Sequence, residues 1–411
     1  MDSRWAELAG HRAWLRREEL RLLDFGAAGA LPGGGFGALD ADGRPGPGPA
    51  ETWITGRMAH VYSLAHLRGV PGAGALADHA LDGLRGVLRD AEHGGWYAQA
   101  APDGGVPGDA TKSAYVNAFV VLGAASATAA GRPGAEQLLA EALSVIETRF
   151  LDPETGLGRE SFDRTWTTCE DYRGANSGMH LVEAFLAATG TTGDTRWRDR
   201  ALHIAEFLVH TATAGNGWRL PEHFTADWRV LPEYNADAPG DRFRPYGTTV
   251  GHWLEWARLL VELEAALGDG APQWLLADAR RLFDLAVEHG WAVDGADGFV
   301  YTLDWRDRPV VRERMHWVAA EAVLAAAALG RRTGEPHYER WYRTWWDYIR
   351  LHLVDLERGG WHHELDPANA PSSTVWQGKP DLYHAYQAVV LPTLPPGPAA
   401  ARLRDHPETA A

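Results

Sequence analysis

A short segment of glycines and aromatics returns six times along this chain, and nothing else in the sequence restricts the fold as much. The copies are GGGFGALD around Gly35, GGWYAQ around Gly95, GLGRESFD around Leu157, GWRLPEHF around Gly217, GFVYTLDW around Gly298 and GGWHHELD around Gly360. The steps between them are 60, 62, 60, 81 and 62 residues. A period of this length marks a repeat architecture, in which one unit cannot bury its apolar face without its neighbours. The long step contains TADWRVLPEYNADAPGDRFRP, whose proline and aspartate content reads as an inserted loop.

Two helical patterns occupy each interval. One set, at 53–68, 110–130, 174–189, 247–267, 312–330 and 379–391, is rich in Ala, Leu and Val nearly all round. Such helices are buried on most faces. The other set, at 74–90, 135–150, 195–211, 272–289 and 336–353, is amphipathic, and an N-terminal helix at 4–24 supplies its sixth member. Six buried helices alternating with six amphipathic ones predict an inner ring wrapped by an outer ring. The expected fold is an all-α (α/α)6 barrel over residues 1–400 with a C-terminal tail at 401–411. The Gly-aromatic segments are too short for a sheet core and are expected as short hairpins or strands at one end. A β/α barrel fits poorly, because no Val/Ile strand precedes each helix.

Charge and cysteine content narrow the partners. The net charge of −16 repels phosphate backbones and anionic membranes, so neither nucleic acid nor a membrane is expected. Lys112 and Lys379 are the only lysines, and Cys169 is the only cysteine, which leaves no intrachain disulfide or thiolate cluster. The stretch MDSRWAELAGHRAWLRREEL has no apolar signal region, and no run approaches the ~20 apolar residues of a membrane span. A cytoplasmic enzyme, monomeric or homodimeric, with a small-molecule substrate is the resulting expectation.

The unusual polar residues fall within the first turns of the buried helices. TWITGRMAHVYSLA carries Trp53, Arg57 and His60; DATKSAYVNAFVVL carries Tyr115 and Asn117; GANSGMHLVEAFLAA carries Asn176 and His180. YGTTVGHWLEWARLL carries His252, Trp253 and Glu255; RMHWVAAEAVLAAAAL carries His316, Trp317 and Glu321; GKPDLYHAYQAVVLP carries Asp381, Tyr383, His384 and Gln387. In a barrel of parallel inner helices these starts share one end, so six distant stretches converge on one pocket.

Histidine suits proton transfer near neutral pH, and a helix N-terminus favours its neutral, basic form. Glu255 lies three residues after His252, on the same face, where it is expected to orient that ring. Arg57 suits a developing oxyanion. Trp53, Trp253, Trp317 and Trp376 offer flat faces for a sugar ring. One buried histidine taken alone is more often a hydrogen-bonded core residue; recurrence at His180, His252 and His384 weighs against that reading. Arg57 as a buried ion-pair partner and His60 and His316 as core residues stay open, as does a rim role for His362 and His363. No HExxH motif, Walker A loop, GxGxxG fingerprint or GxSxG elbow occurs, so no metal or nucleotide cofactor is expected.

The stretches TWITGRMAHVYSLA, GANSGMHLVEAFLAA, TTVGHWLEWARLL, RMHWVAAEAVLAA and WQGKPDLYHAYQAVVLP resemble the N-acylglucosamine 2-epimerase superfamily, in its branch of D-mannose and sulfoquinovose isomerases. The resemblance implies an (α/α)6 barrel that works without a cofactor. It implies His384 as the base that moves a proton between C2 and C1, and His252 as a second acid/base linked to ring opening. His180, Arg57 and Glu255 match further active-site positions, with Trp317 and Glu321 lining the pocket. Asn117 departs from the acidic residues common in relatives. The expected reaction interconverts D-mannose and D-fructose, or D-lyxose and D-xylulose, through a cis-enediol. Alternatives are a sugar 2-epimerase, or a sulfoquinovose isomerase using Arg57, Arg242 or Arg244 as its anion site. A glycan hydrolase of the same fold would need two spaced carboxylates, for which Glu255 and Glu321 are the candidates. A sugar-binding protein without catalysis is the remaining reading.

Overall fold

A computed structural model describes residues 4–405. The inner helices are α2 (Thr52–Leu67), α4 (Ala114–Ala129), α6 (Ala175–Thr192), α8 (Val250–Leu267), α10 (His316–Thr333) and α12 (Tyr383–Val390). The outer ones are α1 (Ala9–Ala27), α3 (Ala73–Arg85), α5 (Ala135–Val145), α7 (Thr195–Ala205), α9 (Trp274–Gly290) and α11 (Pro336–Tyr348). Each inner helix packs on the next, and α12 closes the ring against α2. Each outer helix covers one inner helix, with α1 lying on α12. The barrel is therefore sealed by pairing the two ends of the chain. No helix among the described residues is long and apolar enough to cross a membrane.

The apolar patterning explains the layers. In α4, AYVNAFVVLGAASATA is buried at all but two of its sixteen positions, since it has protein on every side. Small residues let the inner helices approach closely. A Cβ on Gly56 would stand 2.5 Å from the Phe119 carbonyl oxygen, so glycine is required where α2 crosses α4.

Five of the six inner helices begin later than the apolar runs suggest, and two-residue strands precede four of them. The pairs are β1 (Lys112–Ser113) with β2 (Ser161–Phe162), β3 (Arg173–Gly174) with β4 (His223–Phe224), β5 (Thr248–Thr249) with β6 (Thr302–Leu303), and β7 (Arg314–Met315) with β8 (Glu364–Leu365). All are antiparallel. Each pair joins the entry of one inner helix to the Gly-aromatic segment of the next repeat. That segment then caps the helix. The first helical N–H groups of Ala114, Ala175, Val250 and His316 donate to the carbonyls of Glu160, Glu222, Tyr301 and His363, at 2.8, 2.9, 3.2 and 3.0 Å. These donors would otherwise lack intrahelical partners.

The Gly-aromatic turns are held by aspartates that accept from backbone N–H groups two and three residues on, as Asp90, Asp152 and Asp355 do. The two lysines serve the same purpose. Lys112 Nζ donates to Asp90 (2.8 Å) and the Gly94 carbonyl, and Lys379 Nζ to Asp355 (2.6 Å) and the Gly359 carbonyl.

Three outer helices, α5, α7 and α11, finish in π-helical turns at Ile146–Phe150, Glu206–Thr213 and Ile349–Leu353. Residues 401–405 of the expected tail belong to a helix, α13 (Ala399–Asp405), because Ala400, Ala401 and Leu403 have an apolar face to bury. It packs on α2, α4 and α6 and helps close the barrel end opposite the strands. Residues 406–411 lie outside the described residues.

Candidate active site

The strand end of the ring surrounds a pocket lined by Arg57, Tyr115, Asn176, His180, His252, Glu255, Trp317, Trp376, Asp381 and His384. Ten of the twelve site residues expected from the sequence thus share one cavity. Tyr301, His316 and His363 line it as well, and Arg242 and Phe243 reach in from the long inserted loop.

Two histidines in this pocket are built alike. His384 Nδ1 lies 3.0 Å from Glu321 Oε1, and His252 Nδ1 lies 2.9 Å from Glu222 Oε2. Each carboxylate fixes the ring and leaves Nε2 for the pocket. Both rings flank Trp317, with centroids 5.6 Å (His384) and 5.3 Å (His252) from the indole. Burial, reinforced by the neighbouring Arg57, holds His384 well below the usual imidazole pKa, so it is a neutral base at pH 7.

Arg57 Nη1 is 3.1 Å from Asp381, and Nη2 donates to the Tyr115 hydroxyl at 3.2 Å. Its guanidinium lies over the rings of Phe119 (4.4 Å) and Tyr383 (4.7 Å). Arg57 is therefore both a buried ion-pair partner and a pocket-lining cation. His180 is pushed down to about 4 by burial. Its Nδ1 is 3.5 Å from Glu183 and 3.9 Å from Glu255 and hydrogen-bonds neither.

Several expectations need correction. Glu222, not Glu255, orients His252. Glu255 lies one turn deeper, where burial and the charge of Glu321 raise its pKa well above the usual range. Glu321 does not line the pocket; it is fully buried behind His384, held at 2.9 Å by Arg258. Trp53 lines a neighbouring side cleft with Glu51, Glu160 and Tyr172, and its indole N–H donates to Glu51 at 2.6 Å. Trp253 is a packing residue, wholly buried with its N–H on Thr248. Asn117 is equally buried and donates to the Ser113 carbonyl, away from the pocket. Arg244 is occupied by Glu170 (2.6 Å) and lies over Tyr172. His60 bonds Ser126 at 2.7 Å, deep in the barrel. His316 is buried and stacks on His363 with centroids 3.7 Å apart, and both rings line the pocket.

His180, Glu183 and Glu255 have ligand atoms within 4.8 Å of one another, a spacing open to a metal ion. Arg258 already faces both carboxylates, with Nη2 at 3.6 Å from Glu183 and 3.7 Å from Glu255, and supplies the positive charge there. Tyr383 and Gln387 donate to Glu183 as well.

Glu222, Tyr301 and His363 were not singled out, or only weakly, in the sequence, yet they are one repeat position. Each is the residue whose carbonyl caps the preceding inner helix. Alignment of GWRLPEHF, GFVYTLDW and GGWHHELD on their strand residues finds all three.

The profile of the N-acylglucosamine 2-epimerase (GlcNAc 2-epimerase) family matches residues 34–388. A D-mannose isomerase of Thermobifida fusca is 59% identical over 399 residues, 97% of this chain and 98% of that protein. A D-mannose isomerase of Pseudomonas cannabina pv. alisalensis is 51% identical over 97% of this chain and 96% of its own length. Among solved structures, a D-mannose isomerase superposes with a TM-score of 0.83 at 27% identity, covering 92% of this chain and 96% of that one. With a matching profile over most of its length and relatives this similar along nearly all of it, the chain belongs to the N-acylglucosamine 2-epimerase family.

Proposed function

We propose that the chain is a D-mannose isomerase, interconverting D-mannose and D-fructose by proton transfer through a cis-enediol. The observation that carries this reading is the pair of carboxylate-backed histidines, His252 and His384, on two sides of Trp317. Aldose–ketose exchange needs a base at carbon and an acid/base at oxygen within one site. The two relatives named D-mannose isomerase, at 59% and 51% identity over nearly their whole length, support the same substrate.

In this mechanism His252, steadied by Glu222, passes the protons that open the pyranose. His384 Nε2 removes the proton from C2 of the open-chain aldose while O1 gains one, giving the enediol. His384 then returns its proton to C1 as O2 loses one, and the ketose results. Arg57 and the Tyr115 hydroxyl steady the oxygen on which charge develops. Trp317 and Trp376 give the sugar its apolar walls. Burial favours the acid form of Glu255, which suits it to donate a hydrogen bond rather than to act as a base. Return of the proton to the opposite face of C2 would give the epimer, so the same groups serve either outcome.

One observation favours a second reading. Arg242 lies 4.1 Å over Trp376 at the pocket mouth and, among the described residues, forms no ion pair with a carboxylate. A cation so placed suits an anionic sugar such as sulfoquinovose. A time course with D-mannose in D2O and EDTA, followed by NMR, separates the readings. Fructose is the expected product. Glucose alone would make the protein an epimerase, and no product with mannose but turnover of sulfoquinovose would establish the second reading.

A further inference from the structure

The two histidine–carboxylate pairs differ in what stands behind them. Glu222 receives the Thr249 backbone N–H (3.1 Å) and His252, and among the described residues no arginine or lysine pairs with it. Glu321 is clasped by Arg258, whose Nε is 2.9 Å from Oε2. Arg258 is 2% exposed and reaches four carboxylates: Glu255 at the pocket floor, Glu321 and Glu183 buried behind the pocket wall, and Glu262 (3.1 Å from Nη1) toward the far end. It lines no part of the catalytic pocket.

We propose that Arg258 is the positioning residue that assigns the two histidines their different duties. By neutralising Glu321, it leaves His384 a carboxylate that can orient the ring but cannot hold an extra proton on it. Glu222 has no such counter-cation among the described residues, so the carboxylate behind His252 is shared with no arginine or lysine. The first arrangement makes a carbon base and the second an acid/base for oxygens. This deepens the isomerase reading and rests on it only for the identity of the substrate.

Other charges act on both rings, and among them Glu183 itself faces Arg258 at 3.6 Å. His384 is faced by Arg57 from α2, His180 and Glu183 from α6, and His316 from α10. Asp381 and His363 face it from the segments before α12 and α10's partner strand. His252 is faced by Glu222, His223 and His180.

The test follows ring protonation directly, with 15N-labelled histidines assigned through H384Q and H252Q, beside the pH profile of kcat with D-mannose. In Arg258→Gln, Glu321 is uncompensated, and the His384–Glu321 pair takes up its proton at a pH higher by about one unit or more. The acid limb of kcat moves up in pH by the same amount, and the His252 curve stays in place. Arg258→Lys, which keeps the charge, restores the wild-type curve. Glu321→Gln leaves Arg258 in place and shifts His384 in the opposite sense, and it covers the case in which Arg258→Gln does not fold. An unmoved His384 curve in Arg258→Gln, or in Glu321→Gln if only that variant folds, overturns the proposal. So does a shift shared equally by His252. Ring shifts as stated without mannose turnover would support the inference and overturn the substrate reading instead.

Discussion

Gly251 sits at the first turn of α8, one residue before His252, with its α-carbon against the Trp317 ring. A Cβ there would fall inside van der Waals contact with two ring carbons of Trp317 and 2.8 Å from Val318 Cγ2. Carbon atoms pack at about 3.5–4.0 Å, so Gly251→Ala requires the indole to move by about 1 Å. Overpacking of this kind costs about 1–3 kcal/mol. At about 2 cal/mol/K per residue, a chain of 411 residues loses only about 1 °C of Tm per kcal/mol, so Tm falls by about 1–3 °C. Activity suffers far more. The indole is the wall against which both His252 and His384 rest, and a displacement of about 1 Å at a reacting centre costs about 10²-fold. The assay is fructose formation from D-mannose in parallel with thermal unfolding. A Gly251→Ala enzyme with wild-type kcat and KM would refute the claim that Trp317 positions the two histidines.

Replacement of His384 by Gln removes the carbon base and is expected to lower kcat by about 10³-fold or more while mannose binding, read by calorimetry, persists. Glu222→Gln leaves His252 without its carboxylate and is expected to lower kcat by about 10²-fold, with the larger effect on substrates presented as pyranose than on an open-chain analogue. Lys112→Met breaks the buried pair with Asp90, far from the pocket. It is expected to cost about 3 kcal/mol and a few degrees of Tm, with kcat unchanged in the folded fraction. Asp355 is set for an acid-side loss of stability. Burial alone would raise its pKa, but Lys379 and the N–H groups of Glu357 and Arg358 outweigh it and bring it to about 2. A depressed folded pKa contributes stability above the ordinary carboxylate value and loses it as pH falls. Urea midpoints should therefore decline from about pH 4 toward 2, and Lys379→Met should flatten that decline.

The sequence disclosed the ring and most of the pocket for one reason. A buried inner helix has no other use for a charged or imidazole side chain, so Arg57, His180, His252 and His384 stood out against Ala and Leu. What stayed hidden was the set of groups that such residues lean on. The pairing of His252 with Glu255 followed from helical spacing, which is sound for neighbours on one exposed face. Inside a barrel the same spacing separates levels: His252 reaches the rim, and Glu255 reaches the floor. The partner came from a strand-side segment thirty residues away, where Glu222 occupies a position filled by Glu160, Tyr301 and His363 in other repeats. Backbone register, rather than side-chain chemistry, makes these four equivalent, because each offers its carbonyl to the helix before it. The cap and the site are thus one device. A carbonyl that must meet a helix N-terminus places its own side chain beside the first turn of that helix or its neighbour. Repeat evolution can therefore vary the side chain, Glu at one position and His or Tyr at another, without disturbing the hydrogen bond that holds the fold. Arg258 escaped notice for the complementary reason. Within LEWARLLVEL it reads as one more charge on a helix, and only closure of the ring shows that Glu183 of α6 and Glu321 of α10 converge on it beside Glu255 and Glu262 of its own helix.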